Sequence, residues 1–224
     1  MISLEKLAKK YKNGNEAVWP VKDISLQINT GEFVSITGRS GSGKSTLLKM
    51  MDGLLVPTSG SVTIDGTDLY SLDDDGRADF RIKHTGFIFQ DYFLEEMFTV
   101  SRNIEISLMI AGIEKGRRED IIGEVLDKVG LTDKRNSLVK DLSGGEKQRV
   151  SIARALSTNP EYIFADEPCG NLDYSNGAVI MKLLRNICDG GRTVVLVTHN
   201  MEDAGKTDRI VTLQDGCAVS DEKQ

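Results

Sequence analysis

Gly38-Arg39-Ser40-Gly41-Ser42-Gly43-Lys44-Ser45 puts glycines at 38, 41 and 43, then a lysine and a hydroxyl, between two stretches of different periodicity. Before it, Phe33, Val34 and Ile36 read as a strand, joined at Asn29-Thr30-Gly31 to another carrying Ile24, Leu26 and Ile28, so residues 22 to 37 form two strands. After it, Leu47, Leu48, Met51 and Leu54 recur at helical spacing from Ser45 to Leu55. A strand entering G-x-x-x-x-G-K-[ST] and leaving as a helix is the context in which backbone amides wrap a phosphate chain. The lysine then reaches the β- and γ-phosphates, and the hydroxyl is placed to ligate Mg²⁺. An ordinary glycine-serine turn capped by Ser42 or Ser45 is the competing reading, and the strand-then-helix context weighs against it.

Working outward, Val62-Thr63-Ile64 followed by Asp65-Gly66 predicts a strand and turn, antiparallel with the N-terminal strands. Residues 86 to 89 are a short apolar run, after which helical patterns hold to about residue 158, including Ile121, Val125, Val129 and Leu131. This middle stretch reads as an inserted helical lobe. Alternation then resumes with a strand over 162 to 165, a helix over about 175 to 188, a strand over 193 to 198, a helix over about 201 to 206 and a hairpin at Asp215-Gly216. Strands interleaved with helices imply an α/β fold whose sheet is mainly parallel with right-handed crossovers. The clusters Asp73-Asp74-Asp75 and Arg117-Arg118-Glu119-Asp120 read as solvated loops or helix faces.

A chain of 224 residues is long enough for one substantial core, or for one domain with a smaller lobe. Its net charge of -6 argues against nucleic acid as the main partner, because no basic surplus is available to neutralise a phosphate backbone. Cys169, Cys188 and Cys217 are far apart and odd in number, which suits reduced thiols better than a disulfide framework or a zinc site. Met1-Ile2-Ser3-Leu4-Glu5-Lys6 lacks the apolar core of a signal peptide, and no stretch approaches the ~20 apolar residues that span a bilayer. Attachment to a membrane would therefore run through another chain.

A second glycine-rich stretch, Leu142-Ser143-Gly144-Gly145-Glu146-Lys147-Gln148-Arg149-Val150, stands where a helix begins. Ser143 and Glu146 fit a capping box. Gly144 and Gly145 do not, since each costs up to about 1 kcal/mol relative to alanine inside a helical turn. Bare amides at a helix N-terminus make an anion site, so on this stretch alone the capped-helix and phosphate readings both stand. One nucleotide does not need two glycine-rich cradles from one chain. The second cradle is better assigned to the nucleotide of a partner.

Tyr162-Ile163-Phe164-Ala165-Asp166-Glu167 is an apolar strand ending in two carboxylates, which strict alternation sends to opposite sides of the sheet's C-terminal edge, where open α/β sheets bind ligands. One carboxylate can then serve a metal and the other a water. His199 ends the strand Val194-Val195-Leu196-Val197-Thr198, and Gln90 ends Gly86-Phe87-Ile88-Phe89. Each alone is an unremarkable strand exit. Together they share one edge of one sheet with the phosphate cradle.

In this joint arrangement the sequence resembles the ATP-binding cassette ATPases over nearly its whole length. Gly38, Arg39, Ser40, Gly41, Ser42, Gly43, Lys44, Ser45 and Thr46 are similar to their Walker A motif, Gln90 to their Q-loop and Leu142 to Gln148, with Ser143, Gly144 and Gly145, to their signature. Ile163 to Glu167 are similar to their Walker B, Asn171-Leu172-Asp173 to their D-loop and His199 to their switch histidine. Tyr11 stands where the family has an aromatic that stacks on adenine, with a buried strand tyrosine as the alternative. The resemblance implies a P-loop NTPase (RecA-like) core with an N-terminal antiparallel β subdomain, over about 1–90 and 159–224, and an inserted α-helical subdomain over about 91–158.

It further implies ATP hydrolysis across a head-to-tail dimer of two copies, each nucleotide enclosed by Walker A of one chain and Ser143-Gly144-Gly145 of the other. Glu167 would activate the attacking water and His199 sense the γ-phosphate, while Ser45, Gln90 and Asp166, directly or through water, arrange Mg²⁺. Gly86 to Leu94 and Asp166 to Asp173 are similar to the branch serving macrolide export, lipoprotein release and bacitracin-type efflux, which implies an integral membrane permease with an extracytoplasmic domain and a peripheral place on the cytoplasmic face. The sequence departs from that pattern at Cys169, usually threonine, and at Val139-Lys140-Asp141, which lacks a common proline. A cassette that regulates cell-wall hydrolases through a membrane partner is the second reading. A soluble DNA-repair or translation cassette is disfavoured, because the interval between Lys44 and Ser143 leaves no room for a long coiled-coil insertion.

Overall fold

A computed structural model describes residues 1–13 and 16–224. Strands β1 (Ile2–Asn13), β2 (Glu16–Ile28), β4 (Ser59–Ile64) and β5 (Thr67–Asp68) form an antiparallel sheet in the order β2-β1-β4-β5. Strands β3 (Phe33–Thr37), β6 (Thr85–Ile88), β7 (Tyr162–Asp166), β8 (Thr193–Val197), β9 (Arg209–Gln214) and β10 (Cys217–Lys223) form the second sheet, β10-β9-β3-β8-β7-β6. Its neighbours are parallel except for the β9-β10 hairpin at Asp215-Gly216. The two strands read over 22 to 37 thus belong to different sheets.

The loose alternation of Phe33, Val34 and Ile36 has a physical cause. Every residue of β3, β7 and β8 is buried, because this parallel sheet is covered on both faces. Phe33, Ile163, Ala165, Val194 and Leu196 face one core, shared with helices α3 (Val100–Ile110), α4 (Lys115–Lys128), α5 (Gly144–Leu156) and α6 (Tyr174–Asp189). Their neighbours Val34, Ile36, Phe164, Val195 and Val197 face the other, with α1 (Lys44–Met51) and the antiparallel sheet. Two cores therefore meet across the strands whose ends carry the candidate site residues.

The helix expected over 45 to 55 stops at Met51, where Gly53 adopts φ +72° and Leu54 N–H returns to Lys49 O at 2.9 Å, a glycine-terminated end. The helix expected over 201 to 206 is α7 (Met201–Ala204), capped by Asn200. A helix absent from the sequence reading, α2 (Asp74–His84), starts at the acidic run: Asp73 caps it through Gly76 N–H at 2.8 Å, and Asp74 and Asp75 complement its dipole. It buries no residue fully, so apolar periodicity gives no sign of it. Between β6 and α3, residues 91–99 form no helix.

Asp52 closes α1, is 1% exposed, and its Oδ1 has no hydrogen-bond partner among the described residues. Burial pushes its carboxyl up to about 7, against the pull of Thr85 and the Arg81 guanidinium. A folded value above the unfolded one means the folded chain holds a proton that the unfolded chain releases, so stability falls as pH rises from about 4 to about 7 and then levels. Asp52→Asn removes this cost and is expected to raise Tm by roughly 3 °C or more at pH 8 and by little at pH 5. Equal shifts at both pH values in a melting series would show that the carboxyl does not titrate as described.

Candidate functional site

The cradle residues close a cavity of about 960 Å³ lined by Gly38 to Gly41, Gly43 to Thr46, Gln90, Glu167 and His199, with Pro20, Thr37, Met201 and Thr212 completing it. Four strand or loop ends supply it: the exit of β3, the turn after β6, the end of β7 and the end of β8. All lie at the C-terminal edge of the parallel sheet, the edge at which open α/β sheets bind ligands.

Glycine is required in the cradle by space and by conformation. A Cβ on Gly43, at φ +99°, would stand 1.8 Å from Pro20 O, and one on Gly38, at φ +145°, would stand 2.3 Å from Leu213 O. Gly43 is the N-cap of α1 and offers no side-chain cap, so the first amides of that helix are left to another acceptor. Ser42 Oγ is buried with no hydrogen-bond partner among the described residues. Lys44, 7% exposed, points its ammonium at Gly38 O and Arg39 O, 2.9 and 3.0 Å away. Bare amides, an orphaned hydroxyl and a held ammonium fit a polyphosphate.

Ser45 Oγ donates to Asp166 Oδ1 at 2.7 Å. Desolvation by burial raises the Asp166 carboxyl above its ordinary range, although the Ser45 hydroxyl and the lysines nearby oppose that. One hydroxyl and one carboxylate are what Mg²⁺ takes from a protein when phosphates and water complete its octahedron, so Ser45 and Asp166 fit the cation.

Glu167 departs from the sequence reading. Strict alternation would place it opposite Asp166, but β7 ends at Asp166 and Glu167 has φ +48°, a left-handed backbone that costs about 1–3 kcal/mol for a non-glycine residue. Its N–H is held by Val197 O at 2.9 Å, and the strained turn swings its carboxylate to His199, whose Nδ1 lies 2.9 Å from Oε1. The carboxylate side chain is 13% exposed and the imidazole 68%, so the acid is walled and the histidine faces the opening. Gln90 packs over Gly170, where a Cβ would meet its Nε2 at 3.3 Å, and its carbonyl accepts from Asn171 Nδ2 at 3.4 Å.

Several residues named from the sequence do not line the cavity: Ser42 and Asp166 stand buried behind it, Asp166 bonded to Ser45, whereas Tyr11 and the second glycine stretch lie away from it. Tyr11, opposite Val18 in the β1-β2 hairpin, is 44% exposed and outside the lining, so the buried-tyrosine alternative fails and the residue this hairpin contributes to the cavity is Pro20. Ser143, Gly144 and Gly145 are outside it too. There the capping box is complete: Ser143 Oγ accepts from Glu146 N–H, and Ser143 N–H donates to Glu146 Oε2 at 2.9 Å. Gly145 has a packing reason as well, for a Cβ would stand 2.3 Å from Asn176 Oδ1. Gly144 is exposed, and among the described residues a Cβ there would meet only Tyr92 Oη and Leu172 Cδ2, at 3.2 and 3.5 Å. Packing therefore accounts for one of the two glycines, a constraint invisible without the position of α6.

Fold and cradle together define a P-loop cassette. The chain belongs to the ABC transporter family, whose model matches residues 21–170. Macrolide export ATP-binding/permease protein MacB of Salmonella choleraesuis (strain SC-B67) is 44% identical over 219 residues, 98% of this chain and 34% of that protein. The protein of the same name from Aggregatibacter actinomycetemcomitans is 41% identical over 221 residues, 99% of this chain and 34% of its own length. The chain thus spans about a third of the length of these curated relatives. Among solved structures, the dimeric bacterial ABC transporter cassette MJ0796 superposes with a TM-score of 0.92 at 41% identity, over 100% of this chain and 98% of that one. The same cassette in a post-hydrolysis state bound to ADP and Pi superposes equally well, with a TM-score of 0.92 at 40% identity.

Proposed function

We propose that this chain hydrolyses ATP with Mg²⁺, that two copies close head-to-tail around two nucleotides, and that closure drives an integral membrane permease with an extracytoplasmic domain, from the cytoplasmic face. One observation carries the dimer: the chain has a phosphate cradle with a full catalytic edge, and a second glycine-rich helix start outside that cavity. MJ0796 cassettes are described as dimers, one of them holding ADP and Pi, and the MacB proteins combine ATP-binding and permease functions by name. No helix among the described residues is long and apolar enough to cross a membrane, so the permease would be a separate segment or chain.

In this reading Gly38 to Ser42 would give amides to the β-phosphate, Lys44 its charge to the β- and γ-phosphates, and Ser45, Gln90 and Asp166 would arrange Mg²⁺. Mg²⁺ would neutralise charge on the transferring phosphoryl group. Glu167 takes or polarises the proton of the attacking water, and His199, oriented by the Glu167 carboxylate, reads the γ-phosphate. Phosphoryl transfer needs mainly such positioning and charge stabilisation.

Lys44→Ala tests the assignment of the cavity. Among the described residues its ammonium donates only to loop carbonyls, so the fold should persist by circular dichroism while ATP affinity falls about tenfold to a hundredfold, the worth of a charged hydrogen-bond set. Unchanged affinity in a fluorescent-nucleotide titration would remove the cavity as the ATP site. Gln90 immediately precedes the 91–99 stretch that leads to α3, which makes it the coupling point to the permease. Gln90→Ala is expected to keep nucleotide affinity and lose stimulation of ATPase by the reconstituted membrane partner; equal stimulation would refute the coupling role.

A further inference from the structure

Asn176, which no motif includes, sits between the signature turn and the catalytic edge of its own chain. Gly145 is buried against it: an added Cβ would stand 2.3, 2.7 and 3.2 Å from Asn176 Oδ1, Cγ and Cβ. Asn176 in turn is fixed by Asp173, the N-cap of α6, whose Oδ1 accepts from Asn176 N–H at 2.8 Å and whose Oδ2 accepts from Asn176 Nδ2 at 2.7 Å. Those bonds, with the Ser175 hydroxyl at 2.7 Å, hold the exposed Asp173 carboxyl down at about 2, so it stays an acceptor throughout the working pH range.

From Asp173 the contacts run on to the site. Leu172 packs beside Gly144, where a Cβ would meet its Cδ2 at 3.5 Å. Asn171 Nδ2 donates to Gln90 O at 3.4 Å, and Gly170 N–H donates to Glu167 O at 3.0 Å. Residues 167 to 173 therefore form one run of turns leading into α6, with Glu167 at its start and Asn176 in the first turn of the helix it enters. The start of α5 cannot move toward α6 without displacing Asn176.

We propose that Asn176 is a positioning residue that carries the state of the signature turn to Glu167 and Gln90 of its own chain, so that ATP in one site of the dimer sets the other. This rests on the dimeric reading above, in which Ser143 to Gly145 touch the partner's nucleotide. A rigid, hydrogen-bonded element biased by both sites is the physical requirement for such coupling.

The test is a double-mutant cycle on the full chain with its membrane partner, read as the ATP dependence of turnover. Wild type should show a Hill coefficient near 2, the limit for about two sites, and Asn176→Ala should bring it to about 1. ATP binding to the isolated chain should change less than about twofold, as no cavity-lining group is removed. Gly145→Ala, which drives a methyl into Asn176, should slow turnover about tenfold, and Asn176→Ala in the same chain should restore much of that rate. Asn176→Ser gives the same comparison if the alanine variant melts early. A wild-type Hill coefficient in Asn176→Ala and Asn176→Ser, or strictly additive effects of the two substitutions, would overturn the proposal. A wild-type enzyme that neither dimerises with ATP nor shows cooperativity would overturn the dimeric reading instead.

Discussion

Glu167→Gln is expected to lower ATP turnover by on the order of a hundredfold or more while ATP remains bound and two copies remain closed around it. The amide is nearly isosteric with the carboxylate, so the left-handed turn at φ +48° and the N–H bond to Val197 O should survive. What is lost is the charge that takes or polarises the proton of water, together with the anionic partner of His199 Nδ1 at 2.9 Å. Lys44, Ser45 and Asp166 are untouched, so binding should hold within a few-fold. Gel filtration with Mg²⁺ and ATP should show a stable dimer for this variant and a short-lived one for wild type. Turnover at the wild-type rate would show that another group activates the water.

The cradle and the order of strands and helices were legible because both are local. Gly43 and Gly38 announce themselves by a spacing that no ordinary turn explains, and β3, β7 and β8 are unbroken apolar runs because both faces are covered. Local signals failed where the deciding contact lies elsewhere in the chain. Helix α2 has caps but no fully buried side chain, so its acidic start resembles a loop. Strand period sends Glu167 to the face opposite Asp166, yet its direction follows from a bond to the neighbouring strand β8. Gly145 reads from the sequence as an anion-site glycine that a capping box does not explain, whereas Asn176, on another helix, stands 2.3 Å from its missing Cβ. In each case the local rule yields to a tertiary partner.

That second role of Gly145 narrows what the signature can be asked to prove, and it moves the weight to Ser143. Ser143 is exposed, its hydroxyl and amide are satisfied by Glu146, and it lies outside the cavity of its own chain. Ser143→Arg should cost about 1 kcal/mol through the lost cap and the cation at a helix N-terminus, leaving the fold intact. ATP binding to the isolated chain should stay within about twofold, because no group of the cradle is altered. Turnover should nevertheless fall by on the order of a hundredfold, since the long cation blocks the approach of the partner's nucleotide. A two-fold symmetric pair brings cradle to signature twice, reciprocally, so defects in the two motifs segregate to different sites. When Ser143→Arg chains are mixed in excess with Glu167→Gln chains, each mixed dimer keeps one site with an intact Glu167 and an intact Ser143, while both defects fall in the other. The mixture should hydrolyse ATP well above either variant alone. If the signature served its own chain's nucleotide, every site in the mixture would carry a defect, and an inactive mixture would therefore refute the shared site even if each single variant behaved as expected.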